Sequence, residues 1–189
     1  MDKEQTTKVP GGNELIDACS LLEKAGIEEK MKIADLGCGR RGYFTLQAAK
    51  LTGDQGLVYA VDILETSLED VKSLANLFGL PNIKTIWADL EVLNSTRLPD
   101  SSIDLAMLNN VLFQTQKDEL IIQEAIRILK KGGKLLITDW KKIKTPFGPP
   151  VENRTDPEYL KKYGQKQGLK LKKELVAGPY HYGLIFIKQ

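Results

Sequence analysis

From residue 31 onward, short apolar runs alternate with stretches in which apolar residues recur every three or four positions. This is the pattern of β-strands interleaved with α-helices. Strands are expected at residues 31–36, 57–62, 83–88, 103–108 and 134–139. A first helix is expected from a cap at Asn13 to a stop at Gly26, with Leu15, Ala18, Cys19, Leu22 and Ala25 on one face. The next, at 42–51, carries Phe44, Ala48 and Leu51, and the 65–78 helix carries Leu68, Val71, Leu74, Ala75 and Phe78. A helix at 117–129 presents Ile121, Ala125, Ile128 and Leu129. Lys130-Lys131-Gly132-Gly133 stops it, with its lysines near the negative end of the helix dipole.

Such alternation predicts a parallel sheet with helices on both faces. The ending breaks the rule. After a Pro- and Gly-rich loop at 145–150 and a helix near 156–167, strand-like runs at 169–177 and 181–188 are joined only by Gly178-Pro179-Tyr180. That link is too short for a parallel crossover, so the last two strands form an antiparallel hairpin.

Length and composition narrow the class. A chain of 189 residues suits one domain. Residues 1–12, ending in Pro10-Gly11-Gly12, read as a flexible tail, and 13–189 as a single domain. The hydrophobic share of 42% and charged share of 28% are those of an ordinary soluble protein, with no apolar run near membrane-spanning length. The first eight residues are polar and of mixed charge, unlike a signal peptide. Cys19 and Cys38 have no metal-ligand spacing, and the single histidine, His181, rules out a His-rich metal site. No metal is expected, and two cysteines of this kind fit a reduced, cytoplasmic setting.

The net charge of +2 is unevenly spread: residues 130–189 hold 14 Lys and Arg against 5 Asp and Glu. Lysines without interleaved aromatics read as a solvated face rather than a nucleic-acid groove.

The chemistry concentrates at Asp35-Leu36-Gly37-Cys38-Gly39, where the first strand turns into its helix, with Gly42 shortly after. Glycines at such a turn let the backbone bend and approach a ligand closely. A dinucleotide would bring a pyrophosphate to this turn, and Asp35 would repel it. A cationic ligand would be attracted. S-adenosylmethionine (SAM), with a sulfonium and an ammonium, suits the turn better than NAD.

Four motifs in order resemble the class I SAM-dependent methyltransferases, including the quinone-biosynthesis type. They are Asp35 to Gly39, the strand 58–62 ending in Asp62, Trp87-Ala88-Asp89, and the 129–137 helix-to-strand junction. The resemblance implies a Rossmann-like, doubly wound seven-stranded sheet of order 3-2-1-4-5-7-6 with strand 7 antiparallel. It also implies SAM as cofactor. Gly37, Cys38 and Gly39 would pass the backbone against the methionine part, Asp35 would bind its amino end and Tyr43 would cover it. Asp62 would accept two hydrogen bonds from the ribose diol, as an ionised acid can. Ile63 would pack on adenine, Asp89 would accept from the adenine amino group, and Ala88 and Leu90 would line the ring. Asn109 and Asn110, after strand four, would line the methyl-donor region, with Phe113 as a wall. Many family members have a third glycine where this chain has Arg41.

Methyl transfer from a sulfonium is an in-line displacement that needs alignment first and a base only if the acceptor must lose a proton. The acceptor-side candidates are Trp140 at the end of strand five and His181 and Tyr182 at the start of the last strand. Asp139 precedes them, and the 145–151 loop is placed to close over an acceptor. The chain lacks the Asn/Asp-Pro-Pro-Tyr/Phe signature of amino-group methyltransferases, and it lacks additional cysteines for an arsenic acceptor. The expectation is therefore methyl transfer to a small-molecule acceptor. A non-catalytic SAM-binding protein, an NAD-dependent oxidoreductase and an RNA methyltransferase are the alternatives. No motif specifies an oligomeric state.

Overall fold

The computed structural model describes residues 15–189. The expected tail at 1–12 and the cap at Asn13 lie outside the described residues. Helix α1 runs Ala18–Ala25 and is capped by Asp17, whose side chain accepts from the Ser20 amide at 3.0 Å. Gly26 ends it in a left-handed conformation, as expected. The buried stripe uses Leu21 rather than Cys19, which faces solvent.

Four strands and three helices follow: β1 Lys32–Leu36, α2 Tyr43–Thr52, β2 Leu57–Asp62, α3 Glu65–Leu77, β3 Ile83–Trp87, β4 Ile103–Asn109 and α4 Asp118–Ile128. The last part is β5 Leu129–Trp140, α5 Pro157–Lys166, β6 Leu169–Val176 and β7 His181–Lys188. The sheet order is β3-β2-β1-β4-β5-β7-β6. Strands β1 to β5 pair in parallel, while β7 runs antiparallel to both β5 and β6, so the terminal hairpin forms as expected.

Two boundaries differ from the periodicity. Leu129 does not close α4 but pairs with Ile103 on β4. The pairing then slips, and Lys134 sits opposite Leu105. The Lys-Lys-Gly-Gly segment is thus absorbed as an irregularity of β5, with Gly132 at φ +76 supplying the bend. Phe78 is 53% exposed, past the end of α3, with the Lys50 ammonium 5.4 Å from its ring.

Each face of the sheet carries its own core. One, built on Leu36, Leu108, Ile128, Leu135 and Phe186, packs against α4 and α5, and the other, on Ile33, Phe44, Met107, Leu136 and Ile185, packs against α1 and α2. With both faces covered, the carboxyl ends of the parallel strands become the open edge, where α/β sheets bind ligands. Among the described residues, no helix is long and apolar enough to cross a membrane.

Candidate functional site

The ends of β1, β2 and β3, with the loop after β4, enclose a cavity of about 500 Å3. Its floor is the glycine turn. Gly37 and Cys38 donate their amides to the Val61 carbonyl at 2.8 and 2.9 Å, which fastens the turn to β2. Gly37 and Gly39 sit at φ +83 and +63, a region a side chain resists. A Cβ on Gly39 would meet nothing within 4 Å, so Gly39 leaves room in the cavity for a ligand to reach the backbone.

Asp62 ends β2 beside this turn. One carboxylate oxygen accepts the Gly39 amide and the other the Leu64 amide, each at 2.9 Å. The bonds lock the turn to the loop after β2 and pre-orient the carboxylate, and each oxygen keeps a lone pair for a further donor. The next two residues, Ile63 and Leu64, line the cavity with 52% and 57% of their surface exposed, an uncovered apolar shelf for a flat ring. The indole N–H of Trp87 holds the Ile63 carbonyl at 2.8 Å.

Ala88, Asp89 and Leu90 form the opposite wall. Asp89 accepts the Glu91 amide at 2.9 Å through one oxygen. Glu91 takes the Thr115 hydroxyl at 2.6 Å and the Lys117 ammonium at 3.0 Å, tying the loops after β3 and β4 together. These two partners hold the Glu91 carboxyl below its usual range, Thr115 contributing most. The lining thus carries Asp62, Asp89 and Glu91 against one cation, Arg40, which pairs with Asp70 at 2.8 Å. It is an acidic cavity, unlike one built for a pyrophosphate.

Seven of the expected site residues line this cavity: Gly37, Gly39, Asp62, Ile63, Ala88, Asp89 and Leu90. Asp35, Cys38, Tyr43, Asn109 and Asn110 do not. Asp35 is 1% exposed and accepts the Thr45 hydroxyl at 2.6 Å, so it anchors the first turn of α2 from beneath. Burial pushes its pKa up to about 6, against the opposing pull of the Thr45 and Asn109 side chains. Asn109 accepts the Thr138 hydroxyl at 2.7 Å, which links β4 to β5. Asn110, at φ +57, accepts from the Gln114 side chain at 2.7 Å. Cys38 turns inward onto Ala60, Leu68 and Val71, and Tyr43 packs edge-on to Phe44. Phe113 is half-buried in the turn after β4 and is not part of the lining.

The acceptor-side candidates divide between the two faces of the sheet. Trp140 and His181 are cross-strand partners with ring centroids 4.2 Å apart. His181 is wholly buried, with neither ring nitrogen hydrogen-bonded, and burial, aided by the charges of Lys141 and Arg154, lowers its pKa to about 4. Tyr182, one residue on, points to the other face and donates to the Thr155 carbonyl at 3.1 Å. Arg154, 3% exposed, spends its guanidinium on the carbonyls of Lys141, Ile143 and Pro149 and on the Thr145 hydroxyl. It thereby binds the loop after β5 down over Trp140.

Sequence reasoning missed Arg40, Leu64, Ser67, Glu91, Val111, Gln114, Thr115 and Ile121 in the lining. Adjacency to Asp62 and Asp89 points to Leu64 and Glu91. The others arrive from loops and helices whose approach no spacing encodes. Neither cysteine is bridged, and among the described residues no group of three His, Cys, Asp or Glu side chains gathers for a metal.

The sequence profile of a family described as "Methyltransferase domain" matches residues 27–175. Among curated proteins, the chain is 31% identical over 122 residues to a ubiquinone/menaquinone biosynthesis C-methyltransferase, UbiE, of Shewanella sediminis, covering 64% of this chain and 47% of that one. It is 29% identical over 118 residues to an arsenite methyltransferase of Mus musculus, covering 59% and 31%. The chain thus spans about half the length of the first, or less, of the curated relatives named. Among solved structures, a SAM-dependent methyltransferase from Aquifex aeolicus superposes with TM-score 0.85 and 25% identity, covering 95% of this chain and 94% of that one.

Proposed function

The chain belongs to the methyltransferase-domain family, with the class I SAM-dependent fold, and from that premise we propose that it transfers a methyl group from SAM to a small molecule. The observation that carries this reading is the Asp62 carboxylate, held by the Gly39 and Leu64 amides at the mouth of the glycine turn. It presents paired acceptors to a ribose diol, while Gly39 leaves open space above the backbone. The residues present fit the cofactor. Ile63, Ala88 and Leu90 take the adenine ring and Asp89 its amino group. Gly37 and Gly39 take the methionine backbone, with Asn109 and Asn110 beyond them.

The bound cofactor supplies a methyl group activated on a sulfonium. The protein's part is alignment and exclusion of water. Asp62 fixes the sugar and so sets how far the rest of the ligand extends toward β4 and β5. The acidic lining favours the cationic donor over its neutral product, which assists release. Asp35 acts indirectly in this reading: with Thr45 it holds α2, and therefore the glycine turn, in place. Trp140 and His181 stand on the acceptor side. Two unbridged cysteines accord with a reducing, cytoplasmic setting.

Isothermal titration tests the assignment. SAM and S-adenosylhomocysteine are expected to bind with micromolar affinity, and methyl transfer from labelled SAM into an acceptor panel follows. Absence of binding by either ligand at millimolar concentration ends the reading.

A further inference from the structure

The loop after β4 reaches the cofactor cavity from one side. Its Val111, Gln114 and Thr115 line the cavity, and Val111 sits so close to Gly37 that a Cβ there would meet a Val111 methyl at 2.5 Å. The position of this loop therefore sets how closely the cavity wraps a ligand. The far end of the loop is fastened, because Thr115 and Lys117 are tied to Glu91. The near part is a single 3-10 turn, Leu112–Gln114. Its leading amides, those of Leu112 and Phe113, have no carbonyl to bond within the turn.

Both amides face the carboxyl of Asp139, at the end of β5. Asp139 is wholly buried. One of its oxygens accepts the Trp140 amide at 2.7 Å, and the other has no hydrogen-bond partner. A buried carboxyl in this state favours its protonated form, and burial raises its pKa to about 7. Once ionised, the second oxygen needs donors, since buried charge is costly without them.

Two other polar groups face Asp139. Arg154, from the loop after β5, acts on it by charge, and Tyr182 is its cross-strand partner on β7. Neither has a proton to give. The Arg154 N–H groups are spent on the carbonyls of Lys141, Ile143 and Pro149 and on the Thr145 hydroxyl. The Tyr182 hydroxyl donates to the Thr155 carbonyl, with the charges of Asp156 and Asp118 acting on it from beyond. The Leu112 and Phe113 amides are the donors that remain.

We propose that Asp139 is a positioning residue for cofactor binding: its ionised carboxylate draws the Leu112 and Phe113 amides onto itself and fixes the loop after β4 in the arrangement that holds the ligand. The link to a cofactor rests on the methyltransferase reading above, whereas the link from Asp139 to the loop rests on the geometry alone. The sign follows from linkage. A ligand that selects the fixed loop lowers the Asp139 pKa, a proton leaves on binding, and affinity rises with pH. A drop of one pKa unit from about 7 gives a gain of about fivefold between pH 6 and pH 8.

Calorimetric titration of S-adenosylhomocysteine into the full chain across that pH range, wild type beside Asp139→Asn, tests this. Asp35, with a pKa of about 6, and the ligand's own groups titrate in both proteins, so the ratio of the two affinities isolates Asp139. That ratio is expected to rise about fivefold toward pH 8. A constant ratio, which loss of a merely structural contact would give, or a falling one overturns the proposal. Should Asp139→Asn fail to fold, the amide resonances of isotope-labelled wild type decide. Those of Leu112 and Phe113 are expected to move downfield together with a midpoint near pH 7, and amides that do not titrate together overturn the proposal. Failure of wild type to bind S-adenosylhomocysteine would instead remove the methyltransferase reading, and the amide titration still decides whether Asp139 holds the loop.

Discussion

Replacing Asp62 by asparagine changes almost no volume and removes one acceptor. In the native protein both carboxylate oxygens accept backbone amides, Gly39 at 2.9 Å and Leu64 at 2.9 Å, while Asp62 is only 8% exposed. An asparagine has one carbonyl oxygen, so its NH2 must face the other amide, donor against donor. Losing a hydrogen bond to a charged group costs about 1.5–3 kcal/mol. Urea unfolding of Asp62→Asn should therefore show a loss of about 2 kcal/mol. The ribose diol loses one of two charge-assisted bonds, and at about 1.4 kcal/mol per tenfold the cofactor should bind roughly 30- to 100-fold more weakly. Titration calorimetry with SAM and S-adenosylhomocysteine reads this directly. Both ligands carry the same sugar, so both should weaken, SAM by at least the factor seen for S-adenosylhomocysteine because it also loses a carboxylate's attraction for its sulfonium. A loss confined to SAM would mean that Asp62 senses the sulfonium charge instead. Affinities within about threefold of wild type for both would refute the ribose assignment, and unchanged stability would refute the bridging role.

Other substitutions probe the surroundings. Gly37→Ala puts a Cβ 2.5 Å from a Val111 methyl at φ +83, and should cost more than the roughly 1–2 kcal/mol of a left-handed residue. Adding Val111→Ala should recover the steric part only, and full recovery in urea melts would show that the backbone conformation is unimportant. His181 has a folded pKa of about 4 against an ordinary 6.5, so the unfolded chain binds its proton first. Its contribution is present above pH 6.5 and is lost as pH falls toward 4, by about 3 kcal/mol. The stability difference between wild type and His181→Gln should shrink by that amount between pH 7 and pH 4, and a pH-independent difference contradicts the buried neutral imidazole. Asp139 has the opposite sign: burial raises its pKa to about 7, so Asp139→Asn should gain stability relative to wild type as pH rises from 4 to 8. Arg154→Lys cannot reproduce the planar set of bonds to the β5 loop, so trypsin should cut at Lys141, Lys142 or Lys144 at least about tenfold faster. Unchanged cleavage would show that the loop is held by other contacts.

The glycine turn shows how far sequence reading reached into the site. The residue types were legible at Gly37, Gly39, Asp62 and Asp89, because a strand end followed by glycine or an acid marks a ligand edge wherever it occurs. The role of Asp35 was not. Its sign of charge suggested a guard at the cavity mouth, yet the chain folds Thr45 back over it and buries it beneath α2. The carboxylates that do line the cavity are Asp62, Asp89 and Glu91. Likewise His181 and Tyr182 are neighbours in sequence but lie on opposite faces of β7, since successive residues of a strand alternate.

The uneven charge also finds a structural place. Lys170, Lys172 and Lys173 are exposed on β6, an edge strand paired only with β7. Charged side chains on an open edge discourage further strand pairing.

Sequence alone determined the alternation of strands and helices, the closing antiparallel hairpin and the composition of the glycine turn, because these follow from periods of about two and 3.6 residues and from short links. Tertiary structure alone decided which acids line the cavity, that Asp35 is buried beneath α2, and how Arg154 ties down the loop after β5. Those outcomes depend on chain segments far apart in sequence settling against one sheet edge. Burial and hydrogen bonding there are properties of the packed assembly, and local spacing does not carry them.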